Sequence, residues 1–150
     1  MKILATIATA IVAAITSTSA TARFVSPDLE GAASLRPIYI EITDQSEDDC
    51  FSNSDQVKAY ARDLLAEKNY QVTNLVFHRG YNLSVTVIAH RVNGLCAGAI
   101  YTQLWNGNVR KDIYGVHEIA SGFVIATHSE SIGTAVLEAL QAFIAQLPEN

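Results

Sequence analysis

The chain has 150 residues, a formal charge of −5 at pH 7, 49% hydrophobic and 17% charged residues. That length buries a substantial core in one domain without help from a metal. Net acidity removes the long-range attraction to phosphate on which nucleic-acid binding depends, so no nucleic-acid partner is expected.

Met1-Lys2 is followed by an apolar and hydroxyl run from Ile3 to Ile15 and then by Ala20-Thr21-Ala22. This order of basic, apolar and A-x-A regions predicts a signal peptide over residues 1–22, cleaved on export. The apolar run is about 13 residues, short of the ~20 that cross a bilayer. No cysteine follows it to take a lipid, and no second long apolar run exists, so no membrane span is expected after processing. Cleavage after Ala22 leaves 128 residues, and loss of Lys2 takes the charge from −5 to −6. A periplasmic or secreted protein is expected. Cys50 and Cys96 then meet an oxidising compartment, where a disulfide is their ordinary fate, with metal ligation or a reactive thiol as the competing ones.

Residues 23–36, with Pro27 and Gly31, read as an extended or poorly ordered lead-in to a single α+β domain over 37–150. Ile38, Ile40 and Ile42 alternate as a strand. Asp44 to Asp49 is an acidic loop. Ser52 or Ser54 can cap a helix to about Lys68, with Val57, Ala61, Leu64 and Leu65 on its apolar stripe and Asn69 as a left-handed terminus.

From Tyr70 the period becomes alternating. Turn signals at Arg79-Gly80, Asn93-Gly94 and Asn106-Gly107 divide it into strands near Gln71 to Phe77, Asn82 to Val92, Leu95 to Trp105, Val109 to Val116 and Gly122 to Thr127. Thr127 and Glu130 form a capping-box interval before a helix carrying Ile132, Val136, Leu140, Phe143, Ile144 and Leu147, which stops near Pro148. The expected fold is a two-layer α+β sandwich. An antiparallel meander of five or six strands carries two helices on one face, in order β-α-β-β-β-β-β-α.

A two-residue turn at Asn93-Gly94 fixes the central hairpin: Val92 opposite Leu95, Arg91 opposite Cys96, Ala89 opposite Gly98, Val87 opposite Ile100 and Leu83 opposite Leu104. The pairs from Arg91 and Cys96 outward share one face with Val85, largely aliphatic and turned to the helices, with Thr102 as its polar exception. The small pair Ala89 and Gly98 is where a helix could come close. The other face carries Ser84, Thr86, His90, Tyr101, Gln103 and Trp105, with Ile88 among them.

Motifs with a known reaction are absent. Gly94-Leu95-Cys96-Ala97-Gly98 matches G-x-C-x-G, but a nucleophile elbow needs strand, turn and helix in that order, and here a strand follows the turn. His78, His90, His117 and His128 form neither H-E-x-x-H nor a ligand pair at helical spacing, so no metal site is expected. Glu41, Asp44, Glu47, Asp48 and Asp49 are an acidic patch without the spacing of a calcium loop. Asn82-Leu83-Ser84 meets the glycosylation pattern inside a strand.

The expected function is that of an exported non-enzymatic binding module, without cofactor. Its binding residues would be Tyr101, Trp105, Thr86, His90, Gln103 and Tyr114, and its partner a protein, an envelope polymer or a second copy of itself. The competing reading of the aromatic face has the N-terminal segment or a neighbouring strand folded over it. The alternatives are a small secreted hydrolase or thiol enzyme using Cys96 with a histidine, and a small-ligand carrier with a pocket between helices and sheet.

Overall fold

The computed structural model describes residues 21–27, 29, 31, 35, 37–75, 81–110 and 113–149, with the backbone alone for 21–22, 108–110 and 113–116. Its elements are β1 (Thr21–Val25), β2 (Ile38–Ser46), α1 (Ser54–Glu67), β3 (Val72–Thr73), β4 (Tyr81–Val92), β5 (Leu95–Arg110), β6 (Ile113–His128) and α2 (Gly133–Ile144). They build a six-stranded sheet in the order β1-β6-β5-β4-β2-β3, with both helices on one face.

The α+β class holds, but the sheet is mixed rather than an antiparallel meander. β2 runs parallel to β4 from Ile38↔Tyr81 to Ser46↔Ala89, and parallel to β3 at Ile38↔Val72. The cause is α1. A chain that leaves β2, crosses the sheet as a helix and re-enters beside β2 must come back in the same direction. The lead-in also begins as structure, since β1 pairs with β6 from Thr21↔Val124 to Val25↔Ala120.

The central hairpin follows the expected register pair for pair, from Val92↔Leu95 to Leu83↔Leu104. Asn93 and Gly94 take φ of 51° and 81°, the left-handed geometry a two-residue turn requires. Leu83, Val85, Val87, Ala89, Ile100 and Leu104 are buried with Ile38 and Ile40 from β2. Val57, Ala61 and Leu65 of α1 and Val136, Leu140, Phe143 and Ile144 of α2 cover them. Thr102, the polar exception, is buried and donates its hydroxyl to the Gly122 carbonyl at 3.2 Å.

Asn106-Gly107 is not a turn. β5 runs through it to Arg110, and β6 is one strand of 16 residues where two had been read. The pairing shifts between Leu104↔Ala120 and Trp105↔Glu118, which leaves Ile119 as one extra residue on β6, a bulge. The strand read from Gln71 is seen at Val72–Thr73, and residues 76–80 lie outside the described part.

α1 begins at Ser54 as expected, with Asn53 at its N-cap and no side-chain cap bond. Asn69 takes the left-handed φ of 64° that ends it. α2 begins later than the capping-box reading places it, because β6 continues to His128. The His128 Nδ1 accepts from the Glu130 and Ser131 amides at 3.1 and 3.4 Å, so this imidazole, rather than Thr127, organises the entry to the helix.

Cys50 and Cys96 are bonded, with Cα atoms 5.4 Å apart and both side chains fully buried. The disulfide ties the loop before α1 to the start of β5. The Cys50 carbonyl also accepts from the Ile132 amide (2.9 Å) and the Ser131 hydroxyl (3.0 Å). Arg91 draws the same end together, donating to the carbonyls of Gly94, Ser129 and Glu130 at 3.1 Å and of Asp48 at 3.4 Å. The close helix approach expected at Ala89 and Gly98 falls elsewhere. A Cβ on Gly98 would meet strand atoms, the Ile88 carbonyl at 2.5 Å, whereas one on Gly122 would meet Phe143 of α2 at 3.3 Å.

Candidate functional site: the uncovered face of the sheet

Two layers leave one sheet face without a helix, and strand alternation decides what stands on it. From β4 come Ser84, Thr86, Ile88 and His90; from β5, Ala97, Ala99, Tyr101 and Gln103; from β6, Phe123 and Ile125; from β1, Phe24. Five of these are large, apolar and open to solvent: Phe24 (46% exposed), Ile88 (48%), Tyr101 (37%), Phe123 (38%) and Ile125 (49%). At half exposure of side chains of this size the group presents on the order of 500 Å² of apolar surface, in the range where patches on monomers are often functional.

The register puts them side by side. Tyr101 pairs with Phe123 on one flank and Thr86 on the other, and Ala99 pairs with Ile125 and Ile88. Ala97 and Ala99 therefore form a low row along β5 between taller rows on β4 and β6.

One end of the face is polar. Glu118, aimed onto this face beside the bulge, accepts from Gln103 Nε2 at 2.6 Å and from the Tyr101 hydroxyl at 3.5 Å. Hydrogen bonds from Ser121 and then Gln103 hold its carboxyl below the usual carboxylate range. Burial, then the Glu118 charge, pushes the Tyr101 phenol above its ordinary value. Both groups therefore keep one charge state near neutrality, anionic for Glu118 and neutral for Tyr101.

Of the expected binding residues, Tyr101, Gln103 and Thr86 stand together. His90 is exposed on the same face, four residues and about 13 Å along β4 from Thr86 at ~3.3 Å per residue. Trp105 is half-buried and lies within β5 opposite Glu118 and Asn82, not beside a hairpin turn. Tyr114 pairs with Val109 through its backbone, and its side chain lies outside the described part. Phe123, Ile125, Phe24 and Glu118 were missed. The alternation of Phe123 and Ile125 was visible, but the false turn at Asn106-Gly107 hid the pairing that sets them beside Tyr101.

Cys96 is in the disulfide, so the thiol nucleophile is gone. Among the described residues no three His, Cys, Asp or Glu side chains converge, and His78 lies outside them. A groove of about 450 Å³ lined by Gln56, Ala59, Tyr60, Asp63 and Leu137 lies between the helices and opens to solvent, so it is not the pocket between helices and sheet that a carrier needs. Asn82 of the glycosylation pattern is 3% exposed inside β4.

No protein-family model matches this sequence, and no curated protein does. Solved structures share the fold. A DUF4136 family protein from Bacteroides thetaiotaomicron superposes with a TM-score of 0.61 at 12% identity, covering 85% of this chain and 95% of its own. A PelC dodecamer from Paraburkholderia phytofirmans gives 0.56 at 14% identity, over 89% of this chain and 99% of that one. At these identities the likeness is one of fold. No described helix is long and apolar enough to cross a membrane.

Proposed function

We propose that the protein is an exported, non-enzymatic binding module that engages a protein or envelope polymer through the uncovered face of its sheet. The observation that carries this reading is the cluster of Tyr101, Phe123, Ile125, Ile88 and Phe24, all more than a third exposed on one face. Surface aromatics gathered in this way are enriched at interaction sites. The A-x-A sequence at Ala20-Thr21-Ala22 and a disulfide, which persists in oxidising compartments, support the exported location. Similar structures described as dodecamers favour assembly with copies of itself among the partners.

The test replaces Tyr101 and Phe123 together by alanine and compares recovery of partners from an envelope extract. Reduced recovery with an unchanged thermal transition is expected. Undiminished recovery by a folded variant would count against the reading.

A further inference from the structure

We infer that the occupant of the uncovered face is a second copy of this chain, related by a twofold axis, with Ile125 of each copy seated over Ala99 of the other. The inference rests on the reading of this face as the working surface and names its partner.

Three observations carry it. The first is shape. The face has a ridge on β6, where Phe123 stands beside Tyr101 and Ile125 beside Ala99, next to a low stretch of β5 at Ala97 and Ala99, with Ile88 as the far wall. A surface bearing both a ridge and the trough that fits it is complementary to itself, which is the condition for an isologous contact. Two sheets laid face to face pack about 10 Å apart when side chains of one fill the gaps of the other, and alanines supply those gaps.

The second is charge. A chain of net charge −5 repels its own copy in general. Here the acidic groups lie elsewhere: Asp55, Asp63 and Glu67 on α1, Glu138 on α2, and Glu47, Asp48 and Asp49 in the loop after β2. Among the described residues the carboxylates on the uncovered face are Glu41, on β2, and Glu118, at the polar end. Glu41 pairs with Ser84, outside the apolar group, and Glu118 reaches that group at the Tyr101 hydroxyl, on its edge. Depletion of charge at the centre with polar groups at the rim is how an interface core is composed.

The third is area. The apolar group offers on the order of 500 Å². With the flanking Thr86, His90, Gln103 and Thr127 it approaches the ~800 Å² per partner that a specific interface uses.

The experiment uses two single variants, Ala99→Asp and Ile125→Lys, on the purified protein, with solution mass from sedimentation equilibrium at 1–100 µM as about the range in which such an interface is populated. The wild type is expected at twice the chain mass or a higher even multiple. Each variant alone should weaken the contact about 100-fold, as central interface positions do, and fall in mass. Mixed in equal amounts, they should restore it, because a twofold contact sets Asp at 99 of one copy against Lys at 125 of the other. Ile88→Ser, on the far wall, gives an independent lowering of mass should either charged variant lose its thermal transition. A monomeric wild type would overturn the inference while leaving recovery of other partners to decide the broader reading. Folded variants that keep the wild-type mass, or a mixture that fails to reassociate, would overturn it as well.

Discussion

Replacing Cys50 and Cys96 together by alanine tests how much of the fold depends on the bond between loop and sheet. The two residues are 46 apart in sequence. On the chain-entropy model, closing a loop of that length removes about 13 cal/mol/K from the unfolded ensemble, or about 4 kcal/mol at 25 °C. Against a typical total of 5–15 kcal/mol this is a large share. For a domain of roughly 130 residues it lowers the melting temperature by about 15 °C. The double variant should still fold, because the Arg91 bonds to four carbonyls and the Ile132 amide to the Cys50 carbonyl survive the substitution. Urea unfolding of the variant and of the oxidised wild type measures the difference directly. A change below about 1 kcal/mol would refute the assignment of the bond as a main constraint on the unfolded chain. Alkylation of native protein without reductant would refute the bond itself.

Three further outcomes follow from single positions. Gly98→Ala should destabilise more than Gly122→Ala, each within about 1–3 kcal/mol. The first Cβ meets the Ile88 carbonyl at 2.5 Å, which is backbone, while the second meets the Thr102 hydroxyl at 2.8 Å, which can rotate; reversed order in chemical unfolding would reject this geometry. Tyr70, whose hydroxyl donates to the Pro148 carbonyl at 2.8 Å, has its pKa pushed by burial from 10.0 to about 12. Its contribution is complete below pH 10 and lost as pH rises towards 12, so Tyr70→Phe should cost about 1 kcal/mol at neutrality and flatten the alkaline fall in melting temperature. Gln103→Leu should raise the Glu118 pKa towards the usual carboxylate value, read by carboxyl NMR titration. Because the folded value is lowered, the stabilisation from Glu118 is present above the ordinary carboxylate pKa and lost on acidification, and a titration unmoved by the substitution would remove Gln103 as a cause.

The central hairpin was legible because one local device fixed it. Asn93 and Gly94 both tolerate positive φ, so a two-residue turn sets every pair outward to Leu83↔Leu104, and alternation then sorts the faces. The same dipeptide at Asn106-Gly107 misled. Extending the pairing to Arg110↔Ile113 satisfies more backbone groups than closing early, and that gain comes from a partner strand the local sequence does not name. The parallel neighbours of β2 were missed for a similar reason. A strand, a helix of 14 residues and a second strand is the pattern of a crossover, but alternation from Tyr70 onward drew the reading towards hairpins. Of the candidate site, Tyr101, Thr86 and Gln103 were readable from the hairpin alone, whereas Phe123, Ile125 and Phe24 needed β6 and β1 in place.

Those three additions change what the face is. With the hairpin alone it is a mixed surface of Ser84, Thr86, His90, Gln103, Tyr101 and Trp105, with Ile88 among them. Pairing β6 beside β5 sets Phe123 against Tyr101 and Ile125 against Ala99, and β1 adds Phe24 at the margin. The helices cannot cover this group, since their apolar stripes are already spent on Ile38, Val85, Ile100 and their neighbours. Most carboxylates of the described residues stand on the helices and in the loops, with Glu41 and Glu118 at the margins of the uncovered face, which separates charge from the exposed rings. That separation favours a partner layer on the sheet over a ligand among the helices.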